Sequence, residues 1–166
     1  MAVTGKIDRK YMAHYIDAGS LCGGLTPKYE RLGKDLEEYN VELNPDTETS
    51  KNILGESTFK HNGYEVSSDA DPFYADTTSD LFTALQKIVD GRLKDDNLKT
   101  KVVEVHLWTE ATAGKYEAYQ QDCYVVPTSY GGDTSGYQIP FTVNYVGERV
   151  KGKFDISSST FTADSE

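Results

Sequence analysis

Within the stretch YGGDTSGYQIPFTVNYV at residues 130–146, Gly132-Asp133-Thr134-Ser135-Gly136 has the composition of a serine-nucleophile loop. That chemistry needs the serine in a fixed order, as in G-x-S-x-G, with an acid and a histidine placed to activate it. The order here is wrong, and none of His14, His61 and His106 lies in a recognisable companion motif. The segment therefore reads as a turn-rich connection that aims the strand behind it. Asp69, Asp71 and Asp76 offer carboxylates for calcium, but their spacing and the missing glycine do not match an EF-hand loop. They read as solvated acids in a loop and at a helix approach. Cys22 and Cys123 fit no ligand spacing such as C-x-x-C and are expected as reduced thiols, with a single disulfide as the alternative. With no phosphate loop, metal cluster or nucleophile elbow in the sequence, the expectation is a protein without enzymatic activity, cofactor or metal.

The chain of 166 residues is long enough to bury a core and is expected to form one domain over 1–166. Its 12 tyrosines, 14 glycines and β-branched residues lean toward β structure. Seventeen basic against 27 acidic residues leave a formal charge of −10, which disfavours binding to phosphate backbones. No apolar run approaches the ~18 residues of a membrane span. The N-terminal MAVTGKIDRKYMAHY lacks an apolar h-region, which argues against Sec export.

The pattern of elements comes from periodicity. Residues 1–28, with Gly19, Gly23, Gly24 and Pro27, show no sustained period and read as an irregular N-terminal arm. Tyr39, Val41 and Leu43 alternate with Glu38, Asn40, Glu42 and Asn44, as expected of a strand with one face buried. Residues 45–56, PDTETSKNILGE, break that alternation and read as a long loop to a second strand over Ser57–Val66. Loops of that length are uncommon unless functional. Residues 67–78 read as a polar connection. Leu81, Leu85 and Ile88, widened by Phe82 and Val89, predict a helix over Asp80–Asp90, capped by Thr78 or Ser79 and closed by Gly91 at C′.

Beyond Lys99 the pattern returns to β. Val103, Val105 and Leu107 alternate with Glu104, His106 and Trp108, and Ala111–Gly114 reads as a connection. A strand over Tyr116–Val126 slips phase near Tyr119–Gln121, the mark of a bulge. Tyr137, Ile139, Phe141, Val143 and Tyr145 alternate with Gln138, Pro140, Thr142 and Asn144, and Pro140 cannot donate to a ladder. Val146-Gly147-Glu148-Arg149 then reads as the turn of a terminal hairpin. The sum is a mainly β fold, a sandwich or small barrel with one flanking helix.

The segments YERLGKDLEEYNVELNPDTETSKNILGE and PTSYGGDTSGYQIPFTVNYVGERVKGKFD resemble those of phage major tail tube proteins of the long, non-contractile type found in phages and prophages of Firmicutes. The resemblance runs over nearly the whole chain in order and length. It implies a virion structural protein, assembled in the host cytoplasm, that forms hexameric rings stacked into a tube. DNA would pass through that tube without specific binding. It further implies contacts with tape-measure, tail-tip and tail-terminator proteins, and no membrane. Residues 45–56, with Asp46, Glu48, Lys51, Asn52, Ile53 and Leu54, match the family's inter-subunit loop. Residues 1–28 match its terminal arm. Glu38, Asn40, Glu42 and Asn44, with Gln138, Thr142 and Asn144, become candidates to face the lumen. A tube protein of a contractile tail or injection particle is the near alternative. A carbohydrate-binding β-sandwich, suggested by Trp108 and the tyrosines, is a distant one.

Overall fold

The computed structural model describes residues 2–109 and 112–165. In chain order its strands are β1 (Met12–Asp17), β2 (Tyr29–Arg31), β3 (Val41–Glu42), β4 (Pro45–Lys51), β5 (Ser57–Tyr64) and β6 (Ser67–Ala70). Helix α1 (Asp80–Gly91) comes next, and then β7 (Lys99–His106), β8 (Lys115–Pro127), β9 (Gly131–Asp133), β10 (Gly136–Gln138), β11 (Phe141–Asp155) and β12 (Thr160–Ala163). Eight strands form one antiparallel sheet in the order β2-β1-β7-β8-β11-β6-β3, with β12 beside the far half of β11. The mainly β architecture with one principal helix is the one composition and periodicity predict.

One sheet face is covered by α1. Leu81, Leu85 and Ile88 pack with Ile16, Val102, Cys123, Val125, Phe141 and Val143, all buried. The helix begins where Ser79 Oγ accepts from Phe82 N at 3.1 Å, as expected of an N-cap. Its C-terminal left-handed residue is Arg92 (φ 48°), one position beyond the predicted Gly91. Arg92 N–H reaches the carbonyls of Ile88 and Val89, so the bonding of the cap outweighs the preference for glycine.

The opposite face is apolar at one end only, where Ala13, Tyr15, Val103, Val105, Ala118 and Phe154 form a second cluster. Tyr29 of β2 lies 5.9 Å edge-on from Phe154 of β11, although three strands separate them in the sheet. In a flat sheet four steps of ~4.8 Å would hold these strands ~19 Å apart. The sheet is therefore curled, toward the barrel-like form that the sequence suggests. Small residues permit the curl: Ala118, Gly152 and Ala163 lie side by side across β8, β11 and β12. A Cβ on Gly152 would fall 2.6 Å from Cζ of Phe161 and 2.3 Å from the Thr162 carbonyl.

Several local readings are corrected. Residues 12–17 are not part of an irregular arm but a strand between β2 and β7, with every residue except Met12 buried. Burial on both faces abolishes the alternation that betrays a half-wet strand, and Met1 lies outside the described residues. The strand read over residues 39–44 shrinks to Val41–Glu42. The tract 45–56 is not a loop: Pro45–Lys51 pairs with Ser57–Tyr64 in a separate two-stranded sheet closed by residues 52–56. Every residue of both strands is exposed except the half-buried Gly63, so no apolar phase marks β4, while β5 falls within the strand read over Ser57–Val66. Ser67–Ala70 is a strand rather than a connection, its buried positions filled by Ser68 and Ala70. β8 runs unbroken, and the irregularity belongs to its partner, where Val146 to Val150 spans four steps against two between Asp122 and Gln120. Gly147-Glu148-Arg149 thus bulges one continuous strand instead of reversing it, and Gly147 supplies φ 70°. The reversal falls at residues 156–159, before β12. The connection read over Ala111–Gly114 begins outside the described residues.

Candidate assembly surfaces

Cross-strand register defines the first surface. Glu42, Ser67, Asn144, Tyr124 and Lys99 face each other in one row across β3, β6, β11, β8 and β7. Asp69, Thr142 and Val126 make the next row, tied by Thr142 Oγ1 donating to Asp69 Oδ1 at 2.8 Å. On the opposite side of the same strands lie Val41, Ser68, Val143 and Val125, facing the helix. The alternation across the region thus turns apolar groups inward and leaves Glu42, Asp69 and Asn144 exposed. Glu38 and Asn40 precede β3, with Asn40 Nδ2 bonded to Glu38 Oε1. Together with Glu42, Asp69 and Asp71 they line a shallow acidic depression.

Of the lumen candidates, the structure gathers Glu38, Asn40, Glu42, Thr142 and Asn144 on this side. Asn44 has a different task. At φ 43° it stands where the chain leaves the sheet, and its Nδ2 donates to Glu65 O at 3.0 Å and Ser67 Oγ at 3.2 Å. Gln138 is set apart, pairing with Gly131 in the small β9–β10 ribbon. Asp69 and Asp71 belong to the acidic group but were not legible as such, because β6 carries no hydrophobic alternation. Residues 133–136 turn the chain from β9 into β10, and Asp133 Oδ1 accepts from Ser135 N at 2.8 Å. This is the turn that the composition of the segment suggests.

The second surface is the β4–β5 hairpin, which carries Asp46, Glu48 and Lys51 on β4. Its turn is built by Asn52, whose Oδ1 accepts from Leu54 N (2.9 Å) and Glu56 N (3.0 Å) while Nδ2 donates to Glu56 Oε2 (2.8 Å). That network satisfies the polar groups of the turn with one another and leaves two apolar side chains facing outward. Ile53 is fully exposed, Leu54 is 76% exposed and Phe59 on the return strand is 66% exposed.

A third constellation, unread in the sequence, lies on the helix-covered side of β1 and β7. Glu104 is partly buried between His106, whose Nε2 is 2.7 Å from Oε1, and His14, whose Nε2 is 3.7 Å from Oε2. Arg149 reaches in from the bulge to 3.4 Å of Oε1 and lies 4.2 Å over the Tyr119 ring. Burial alone would raise the Glu104 carboxyl, but the His106 hydrogen bond, His14 and the Arg149 charge hold it well below the usual carboxylate range. His106 also stacks on Trp108 at 4.3 Å, so that indole face is committed inside the chain. The buried His14 Nε2 has no hydrogen-bond partner among the described residues. The cluster holds the bulge and β1 to the sheet; the signal for it is the coincidence of His14, Glu104 and His106 in register, visible only once β1 is known to pair with β7.

Both cysteines are free, and burial pushes the Cys123 thiol up, away from reactivity. Among the described residues no group of three or more His, Cys, Asp or Glu is placed to hold a metal ion, and no helix is long and apolar enough to cross a membrane.

No protein-family model matches the chain, and no curated protein matches it in sequence. Among solved structures the chain is similar to the sheath/tube terminator of PVC, an extracellular contractile injection system, in its extended state. The identity is 10% and the TM-score 0.49, over 90% of this chain and 99% of that one. It is also similar to the tube-terminating cap of the anti-feeding prophage, at 10% identity and TM-score 0.49, over 91% of this chain and 93% of that one.

Proposed function

We propose that this chain is a structural subunit of a phage tail tube, polymerising as hexameric rings that stack into a DNA conduit. The observation that carries the reading is the β4–β5 hairpin. An isolated two-stranded ribbon is marginal in water, and this one keeps Ile53, Leu54 and Phe59 in solvent. An isolated subunit has no use for such an arm, whereas a polymer buries it between copies. The resemblance of residues 29–56 and 127–155 to tail tube proteins supports the same conclusion.

The acidic sheet face supports the conduit. Placed toward a channel and repeated around a ring, Glu38, Glu42, Asp69 and Asp71 make a wall that repels a phosphate backbone and lets DNA slide. Glu42 and Asn144, exposed on strands whose other face is core, have the orientation such a wall needs.

Sedimentation of the full chain over a concentration series tests the proposal, beside a variant with residues 46–63 replaced by a short Gly-Ser link. The full chain is expected to associate with concentration. The variant, with its sheet and helix untouched, is expected to melt normally and remain a monomer. Strictly monomeric full chain at every concentration, or equal association of both proteins, overturns it.

A further inference from the structure

An apolar cleft of about 330 Å³ opens where α1 ends against the end of β8. Ile88, Val89, Leu93, Leu98, Val126 and Pro127 line it. Arg92 stands at its rim, with Nη2 donating to Tyr130 Oη at 2.8 Å and the guanidinium 5.2 Å from the ring. The cap explains why the cleft exists. Arg92 turns left-handed at the helix end, and Leu93 N bonds back to Ile88 O, so the chain swings away before packing on the β8 terminus.

We infer that this cleft receives the hairpin tip of a second copy of the chain, with Ile53 and Leu54 seated between the helix end and β8. The inference rests on the assembly reading and names the acceptor surface. Two features of the molecule choose the occupant. The chain presents an apolar knob of two aliphatic side chains and, elsewhere, an apolar hollow, and the described residues of the subunit fill neither. Their borders are also of opposite sign. Residues 46–63 carry Asp46, Glu48 and Glu56 against Lys51 and Lys60, a net of −1, whereas the charged side chain lining the cleft is Arg92. Glu56 closes the turn that carries the knob as Arg92 flanks the hollow, so docking brings a carboxylate toward guanidinium at the rim while the aliphatic groups leave water. Knob and hollow are different patches, so the contact is heterologous: repeated, it closes into a ring or propagates as a stack.

The test is an intermolecular cysteine link. Two preparations are made on a Cys22→Ala background, one carrying Leu54→Cys and the other Leu93→Cys; Cys123 is fully buried and stays. They are mixed, assembled by concentration and oxidised mildly. A 54–93 link confined to the assembled fraction is the expected result. Leu54→Cys mixed with Leu25→Cys, a position 95% exposed that does not line the cleft, is expected to give none. A parallel I53D/L54D variant alters only exposed side chains. It should fold normally and raise the concentration for half-assembly by roughly ten-fold or more, the loss of one or two buried aliphatic side chains. Assembled material with no 54–93 link, or with equal linking to position 25, removes the acceptor assignment and leaves the tube reading standing. Failure of every chain to associate removes both.

Discussion

Replacing Glu104 by Gln keeps the size and hydrogen-bonding capacity of the side chain and removes its charge. Glu104 is 18% exposed, His106 15% and His14 3%, so the carboxylate interacts with its neighbours largely out of water. Arg149, at 48% exposed, contributes a screened attraction. A charge-assisted hydrogen bond in such a setting contributes about 1.5–3 kcal/mol, and Gln retains a neutral contact to His106, so E104Q should cost about 2 kcal/mol at neutral pH. For a domain of this length that is roughly 4–8 °C in Tm. The pH dependence is the sharper part. The folded carboxyl titrates below its unfolded value, so its stabilisation is complete above the unfolded pKa of about 4.3 and fades as pH falls through the depressed folded value. Urea unfolding of both proteins at pH 7, 5, 4 and 3 should therefore show a gap that is constant from 7 to about 5 and narrows steadily below. A gap absent at pH 7, or undiminished at pH 3, would refute the assignment of a stabilising buried carboxylate.

Phe154→Ala removes a fully buried ring packed on Tyr15 at 4.5 Å and Tyr29 at 5.9 Å, and should cost about 3–5 kcal/mol in urea unfolding. A loss under about 1 kcal/mol would mean that the curl of the sheet does not depend on this cluster. Ser79→Ala takes away the acceptor for Phe82 N and should lower stability by about 1 kcal/mol, visible as a shift of the urea midpoint at unchanged slope. E38K/E42K alters exposed side chains, so tails carrying it should assemble yet eject DNA slowly, recovering as added salt screens the attraction. Ejection at the unaltered rate from fully assembled tails would take these residues out of the lumen.

The sequence makes legible whatever leaves a periodic trace. The α1 stripe of Leu81, Leu85 and Ile88 and the alternation from Ile139 to Tyr145 are visible because each has one buried and one solvated side. β1 leaves no alternation for the opposite reason: with His14 and Asp17 buried beside Ala13, Tyr15 and Ile16, neither face is left to solvent. β4 leaves no trace because neither of its faces is buried, whereas its partner β5 falls within the strand read over Ser57–Val66. The candidate site was half legible. Glu42 belongs to an alternating run, so its exposure on the same side as Asn144 could be anticipated. Asp69 and Asp71 could not be joined to it without the pairing of β6 to β3 and β11. The hairpin tip was identified as a segment, but its conversion from loop to ordered ribbon depends on the Asn52 network, a matter of side-chain geometry rather than of pattern.

Electron microscopy of the concentrated 166-residue chain, with nucleation on tail-tip material if needed, tests the tube proposal most directly. Six-fold rings that stack into tubes with an open channel are expected, the β3–β6–β11 face carrying Glu42 and Asp69 turned toward that channel. Particles that remain single subunits, or tubes whose wall places those carboxylates on the outer surface, would contradict it.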